Sequence, residues 1–231
     1  MPIDAKDLAD LGKLPLDDFV AVMDARHRAA LDAAEWWPAL KAARPSWDDS
    51  GVGMSFDSAV LRRRFPTHFV MGLLSPFYSE GIAAPDRRRC TWAVSFSPFA
   101  ENARGHGQGG AVAAIFDLAT ASLGSQLRGG VGGTPTKSLA VRYRRPLVPI
   151  PGVFRLDVEV VEEAEPAAAG AAAGAGGGAG AGLSREIHLR ATLSDGSGTT
   201  VYDSAEATLV DLSVKRPAGG GGGGGNTQSR L

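Results

Sequence analysis

Among the 231 residues of this chain, those best placed for chemistry fall in one run, Asn102–Leu127, which reads NARGHGQGGAVAAIFDLATASLGSQL. A glycine-rich turn leads into a segment that is apolar or small on every side and carries one charge, Asp117. A helix of that kind is expected in the middle of a fold. A carboxylate placed there is costly unless it is hydrogen-bonded or takes part in a reaction. Gly109 and Gly110, at the helix start, would leave backbone N–H groups unpaired with the positive end of the helix dipole behind them. The combination is an acid/base group near an anion or oxyanion site.

Other chemistries fit less well. His106 lies in the glycine turn and is a candidate for substrate contact, but His27, His68 and His188 are scattered without ligand-type spacing. With a single cysteine, Cys90, no disulfide framework, cysteine-based zinc site or other metal site is expected. No serine sits in a nucleophile elbow. The run Gly105–Gly110 has the look of a dinucleotide loop, but the alternating strands and helices of that fold do not follow it. A phosphate loop would need a Lys-Ser/Thr pair, which is missing. Asp117 remains, and the alternative for it is a carboxylate satisfied by hydrogen bonds within the core.

The elements that would position these residues can be read from periodicity. At 100° per residue, Val112, Ile115, Phe116, Ala119, Leu123 and Leu127 form one apolar face, and Gly110, Ala114, Asp117, Ala121 and Gly124 form a small-residue face opposite. Alternation predicts strands at Thr91–Ser97, Thr136–Arg145, Val153–Glu163, Arg185–Leu193 and Thr199–Leu212. In the second of these, alternation puts Thr136 on the face opposite Leu139, toward solvent, unless the strand end bulges. A strand, a long helix and then a meander predict an α+β fold: an antiparallel sheet wrapped around one central helix. Residues 15–43 read as a helix broken or kinked at Pro38 that docks on the core. Residues 44–87 read as irregular, punctuated by proline. The arginine runs 62–64 and 87–89 read as solvated surface.

The expected organisation is an N-terminal helical and irregular extension (1–87), a main domain (88–214) with a low-complexity Ala/Gly insertion (164–182), and a glycine-rich tail (215–231). A formal net charge of -1 argues against nucleic acid as a partner. No apolar run is expected to span a membrane. The aspartate-rich start matches neither a secretory signal nor a transit peptide, which points to the cytoplasm.

The run N-x-x-G-x-x-Q-G-G (Asn102–Gly110), Asp117 nine positions after Gln108, and the later T-x-x-L-x-V-x-Y-x-R-P with Thr136 ten residues before Pro146 together resemble the hot-dog-fold acyl-CoA thioesterases of the PaaI/THEM type. The resemblance covers roughly residues 91–212 without the insertion. The departure is Gln108, where that family has histidine; Gln108 keeps a donor and an acceptor, and His106 is two residues away from the matching place.

The resemblance implies hydrolysis of fatty or aromatic acyl-CoA, hence a part in lipid metabolism, with no cofactor. It implies an oxyanion hole at the N–H of Gly109, helped by Gly110 and Asn102. Asp117 would be general base or nucleophile, with Thr136 holding the water or the carboxylate. It also implies a homodimer or a dimer of dimers, with Asp117 serving a thioester held by the other subunit's glycine turn. Gln108 and His106 would line the substrate, and Lys137, Arg142, Arg144 and Arg145 would meet the coenzyme A phosphates. Two other readings remain: a non-catalytic module binding acyl-CoA or acyl-carrier protein, and a dehydratase acting on hydroxyacyl thioesters.

Overall fold

The computed structural model describes residues 13–14, 16–43, 77–97, 100–128, 134–150, 152–163 and 185–211. The Ala/Gly insertion, the glycine-rich tail, the arginine run 62–64 and His68 lie outside the described residues. In chain order the elements are α1 (Leu16–Ala33), α2 (Trp36–Ala43), β1 (Phe77–Ala83), β2 (Arg89–Phe96), α3 (Gly109–Leu127), β3 (Thr136–Tyr143), β4 (Gly152–Glu163), β5 (Arg185–Ser194) and β6 (Val201–Asp211). The six strands form one sheet in the order β1-β2-β4-β5-β6-β3, with every neighbouring pair antiparallel. The sheet wraps around α3, which is the hot-dog architecture.

The expected apolar face of α3 is the one buried: Val112, Ile115, Phe116, Ala119 and Leu123 pack against Trp92, Val94, Phe96, Leu156, Ile187, Leu193 and Leu209. Burying each large side chain of this kind contributes roughly 1.5–3 kcal/mol. The opposite face is less uniform than helical spacing predicts. Gly124 is buried there, because a Cβ on it would run into Leu209 Cδ1 and Thr134 Oγ1, so α3 approaches β6 more closely than any larger residue allows. Gly110 and Asp117 are exposed, and Ala114 and Ala121 are only partly covered. A single sheet covers one side of a helix, so Asp117 is not buried in the single chain, contrary to expectation. By length and composition alone α3 could cross a membrane, which also departs from the sequence reading; here it is the helix at the centre of the fold.

Two further expectations are corrected near the N-terminus. The segment 44–87 is not wholly irregular, because Phe77–Ala83 forms the edge strand β1, paired with β2 from Phe77↔Phe96 to Ala83↔Cys90. β1 carries no clean alternation because both of its faces are covered. Phe77 and Ala83 join the main core, whereas Tyr78 and Ile82 pack under α1 and α2 with Leu31, Trp37 and Ala93. The helical segment breaks at Ala34–Glu35 rather than at Pro38. Pro38 falls in the first turn of α2, where its missing N–H has no helical partner to lose. α2 is anchored by Trp37 Nε1, which donates to Glu80 Oε2 at 3.0 Å. α1 is anchored by His27, whose Nδ1 lies 2.8 Å from Ser95 Oγ.

Candidate active site

The turn before α3 is built by Asn102. Its Oδ1 accepts from the N–H of Arg104 (2.8 Å) and of His106 (3.3 Å). Its own N–H donates to His106 O, and its carbonyl accepts from Gly105 N–H. Gly105 takes a left-handed φ of 76°, which a side chain would strain. Gly107 is pressed against Leu147, and its N–H donates to the Leu147 carbonyl at 2.9 Å. Asn102 and the backbone of His106 therefore shape the turn.

Gln108 is the N-cap of α3 and its Oε1 accepts from Ala111 N–H at 2.8 Å. Gln108 thus satisfies one of the orphan donors of the helix start. The N–H groups of Gly109 and Gly110, the first two helical positions, have no acceptor among the described residues. They are two adjacent donors at the positive end of the helix, the equipment of an oxyanion site.

Two turns further along, Asp117 Oδ1 accepts from Thr136 Oγ1 at 2.7 Å. A β-bulge makes this contact. β3 pairs with β6 as Thr136↔Leu209 and then Ser138↔Thr208, so Lys137 is an extra residue in the ladder. The bulge turns Thr136 to the same face as Leu139 and Val141, toward α3, where simple alternation would have turned it away. One oxygen of Asp117 is thereby occupied and oriented, and Oδ2 is left for a further partner.

Tyr143 belongs to the site and was not singled out from the sequence. At the far end of β3 its hydroxyl donates to the Gly109 carbonyl at 2.8 Å. Its ring lies where a Cβ on Gly109 would come within 3.3 Å of Cζ, so an alanine there would push the ring back by a few tenths of an ångström. That carbonyl shares a peptide group with the Gly110 N–H, so the hydroxyl fixes the peptide plane and polarises the donor on its other end. Burial and then the Asp203 carboxylate raise the Tyr143 pKa, so the hydroxyl keeps its proton at neutral pH. Asp203 faces Tyr143 across the β3–β6 ladder and is 2% exposed. Burial pushes its pKa up to about 6, against the opposing effect of the Arg144 N–H that it accepts. The sequence signal available for Tyr143 was its place in the Y-x-R-P end of the strand.

The four cations expected near the substrate are not gathered at this site. Lys137 pairs with Glu186. Arg142 and Arg144 alternate with Val141 and Tyr143 and so occupy the outer face of the sheet, away from Asp117 and Thr136. Arg145 is exposed beyond the strand end, its N–H bonded to the Tyr202 carbonyl. Among the described residues, no group of three His, Cys, Asp or Glu side chains gathers as a metal site.

No protein-family model and no curated protein matches the chain. Solved structures similar to it include a phenylacetic acid degradation-related protein of Ralstonia eutropha, 19% identical over 67% of this chain and 98% of that one, with a TM-score of 0.46. Zebrafish thioesterase superfamily member 2 is 11% identical over 66% of this chain and 94% of that one, with a TM-score of 0.47. Thioesterase superfamily member 2 of Mus musculus is 11% identical over 57% and 86%, with a TM-score of 0.43.

Proposed function

We propose that this chain hydrolyses acyl-CoA thioesters to the free acid and coenzyme A. The observation that carries the reading is the Thr136–Asp117 hydrogen bond, made by a bulge that turns Thr136 toward the uncovered face of α3. The thioester carbonyl oxygen is held by the N–H groups of Gly109 and Gly110. Asp117 Oδ2 takes a proton from water as the water oxygen attacks the carbonyl carbon. Negative charge collects on the carbonyl oxygen, where the two N–H groups and the helix dipole stabilise it. The C–S bond then breaks, and the thiolate leaves and takes up the proton. In the alternative use of the same group, Asp117 attacks directly, expels the thiolate and leaves an anhydride that water cleaves. Gln108 and His106 border the carbonyl site, and Asn102 acts through the turn it shapes.

Geometry along the helix calls for a second copy of the chain. Asp117 follows Gly109 by eight residues, which at 1.5 Å per residue is about 12 Å along the axis. A carbonyl carbon attacked by a water on Asp117 must lie within a few ångströms of both groups. One chain cannot offer both to one thioester, whereas two antiparallel α3 helices, meeting at their uncovered small-residue faces, can. Among the described residues no strand pairs with the outer edge of β3, which lies beside that face, so this edge could continue the sheet into the partner.

The test is steady-state hydrolysis of a panel of acyl-CoAs by the wild type and by Asp117→Asn. Turnover lost in the variant, with folding retained, supports the reading; equal turnover in the two proteins ends it. One observation favours a second reading, a binding module without catalysis. The Gln108 carbonyl is committed to capping the helix, so the position offers no group for acid/base work. That reading predicts saturable binding of acyl-CoA without turnover of any substrate.

A further inference from the structure

Asp203 and Asp211, on the inner face of β6, are both buried, and the proposed reaction uses neither. Asp211 is paired with Arg128 Nε at 2.8 Å. Asp203 has no such cation. Its hydrogen bond among the described residues comes from the Arg144 backbone N–H, at 3.2 Å to Oδ1. In the sheet it continues the buried row Leu209, Ala207 and Ala205, abreast of Tyr143 on β3 and Leu193 on β5. The groups that face it are few. β3 offers the Tyr143 phenol, β5 offers the uncharged Leu193, and the chain after β3 offers the Arg144 N–H. The Arg144 guanidinium lies on the outer face of the sheet, and the Arg145 side chain is exposed and makes no ion pair with Asp203. Through Tyr143, α3 is met at Gly109, an uncharged residue at the positive end of the helix. A carboxyl so placed is held neutral by burial up to a pKa of about 6.

We propose that Asp203 is a positioning residue of the thioester site, acting through Tyr143 on the Gly109–Gly110 peptide: neutral, it leaves the phenol a good donor to that peptide, and ionised, it weakens the donor. Its place in hydrolysis rests on the function proposed above; its coupling to the peptide does not. The route has three links. The Asp203 carboxylate raises the Tyr143 pKa, because negative charge beside the ring disfavours release of the phenolic proton. A less acidic hydroxyl gives a weaker hydrogen bond to the Gly109 carbonyl, which it meets at 2.8 Å. A less polarised carbonyl leaves the Gly110 N–H, on the other end of the same peptide, a weaker donor to an oxyanion. The charge on Asp203 also opposes charge developing on the substrate oxygen. All of these effects reduce the rate as the carboxyl ionises, so the site works best on the acid side of that titration.

Two measurements test this on the full chain, with wild type, Asp203→Asn and Tyr143→Phe, each shown to be folded by thermal melting. Asparagine keeps an acceptor for the Arg144 N–H. In the isotope-labelled protein, the Gly110 amide resonance should move with a midpoint near pH 6. The step should be absent in Asp203→Asn and smaller in Tyr143→Phe. In steady-state acyl-CoA hydrolysis, kcat of Asp203→Asn relative to wild type should be near one at about pH 5 and should rise about twofold or more by about pH 7.5, with KM unmoved. Taking this ratio cancels the titration of groups that the two proteins share. A Gly110 amide that does not titrate in this window, or that does so equally in Asp203→Asn, overturns the proposal. A step equally large in Tyr143→Phe overturns the route through the ring, and a rate ratio constant with pH overturns the part in hydrolysis. A wild type that hydrolyses nothing, while its Gly110 amide still follows Asp203, upholds the coupling and defeats the thioesterase reading instead.

Discussion

Removing the Tyr143 hydroxyl tests whether the first peptide of α3 is tuned from outside the helix. In Tyr143→Phe the Gly109 carbonyl loses a donor at 2.8 Å and keeps its place at the start of the helical ladder. The loss in folding stability is therefore small, about 1 kcal/mol or less for one neutral, partly solvated hydrogen bond. The effect on rate comes through the Gly110 N–H at the other end of the same peptide. An oxyanion donor contributes about 3–4 kcal/mol to the transition state, and coupling between linked hydrogen bonds changes a bond by roughly 10–30%. The product is about 0.3–1 kcal/mol, a fall of roughly two- to fivefold in kcat. KM should hold, because the interaction strengthens only as charge develops on the oxygen. The assay is release of free thiol from acyl-CoA at saturating and limiting substrate. Gly109→Ala supplies the cross-check: its Cβ would crowd the Tyr143 ring by a few tenths of an ångström and loosen the same hydrogen bond, so the losses in the double variant should be less than additive. An unchanged kcat, a change confined to KM, or fully additive losses would refute the reasoning.

Other outcomes follow from the same geometry. Thr136→Val leaves Asp117 without its 2.7 Å donor, and kcat should fall by about one order of magnitude, well short of the loss in Asp117→Asn, as read in the same thiol assay. Gly124→Val places methyl groups against Leu209 and Thr134 and should lower stability by about 1–3 kcal/mol in urea unfolding, since buried Leu209 has no room to retreat. Asp203 has a folded pKa raised to about 6 from 3.8, so between those values the folded state holds more protons than the unfolded one, and stability falls as pH rises through that window. Asp203→Asn, which keeps an acceptor for the Arg144 N–H, should be more stable than wild type at pH 7 by up to about 3 kcal/mol and equal to it near pH 4. Melting curves at the two pH values measure this, and an advantage that persists at low pH contradicts it. Ala121→Arg puts a charge on the uncovered face of α3 and should abolish dimer formation and hydrolysis together, measured by sedimentation and thiol release; an active monomer would disprove the shared site.

Local pattern was enough to determine the central helix and five of the six described strands, because each depends on periodicity along one segment; the partnership of Asp117 with Thr136 was implied only by the resemblance, since alternation alone points Thr136 away from the helix. The buried set Val112, Ile115, Phe116, Ala119 and Leu123 could be read from helical spacing, since water excludes those side chains whatever they meet. β1 was hidden because alternation records a difference between two faces, and α1 and α2 cover the second face of Phe77–Ala83. The direction of Thr136 was decided by one extra residue in the ladder, a matter of register with β6 that no single strand contains. The exposure of Asp117 and the burial of Gly124, on the same side of one helix, depend on where the sheet ends and how closely β6 approaches. Tyr143 reaches Gly109 from 34 positions away in sequence, and Asp203 faces Tyr143 only because β3 folds back beside β6. Composition and period express what each residue prefers, but neighbours distant in the chain determine which preferences are met, since side-chain contacts and charge interactions act over ångströms of space and not over positions in sequence.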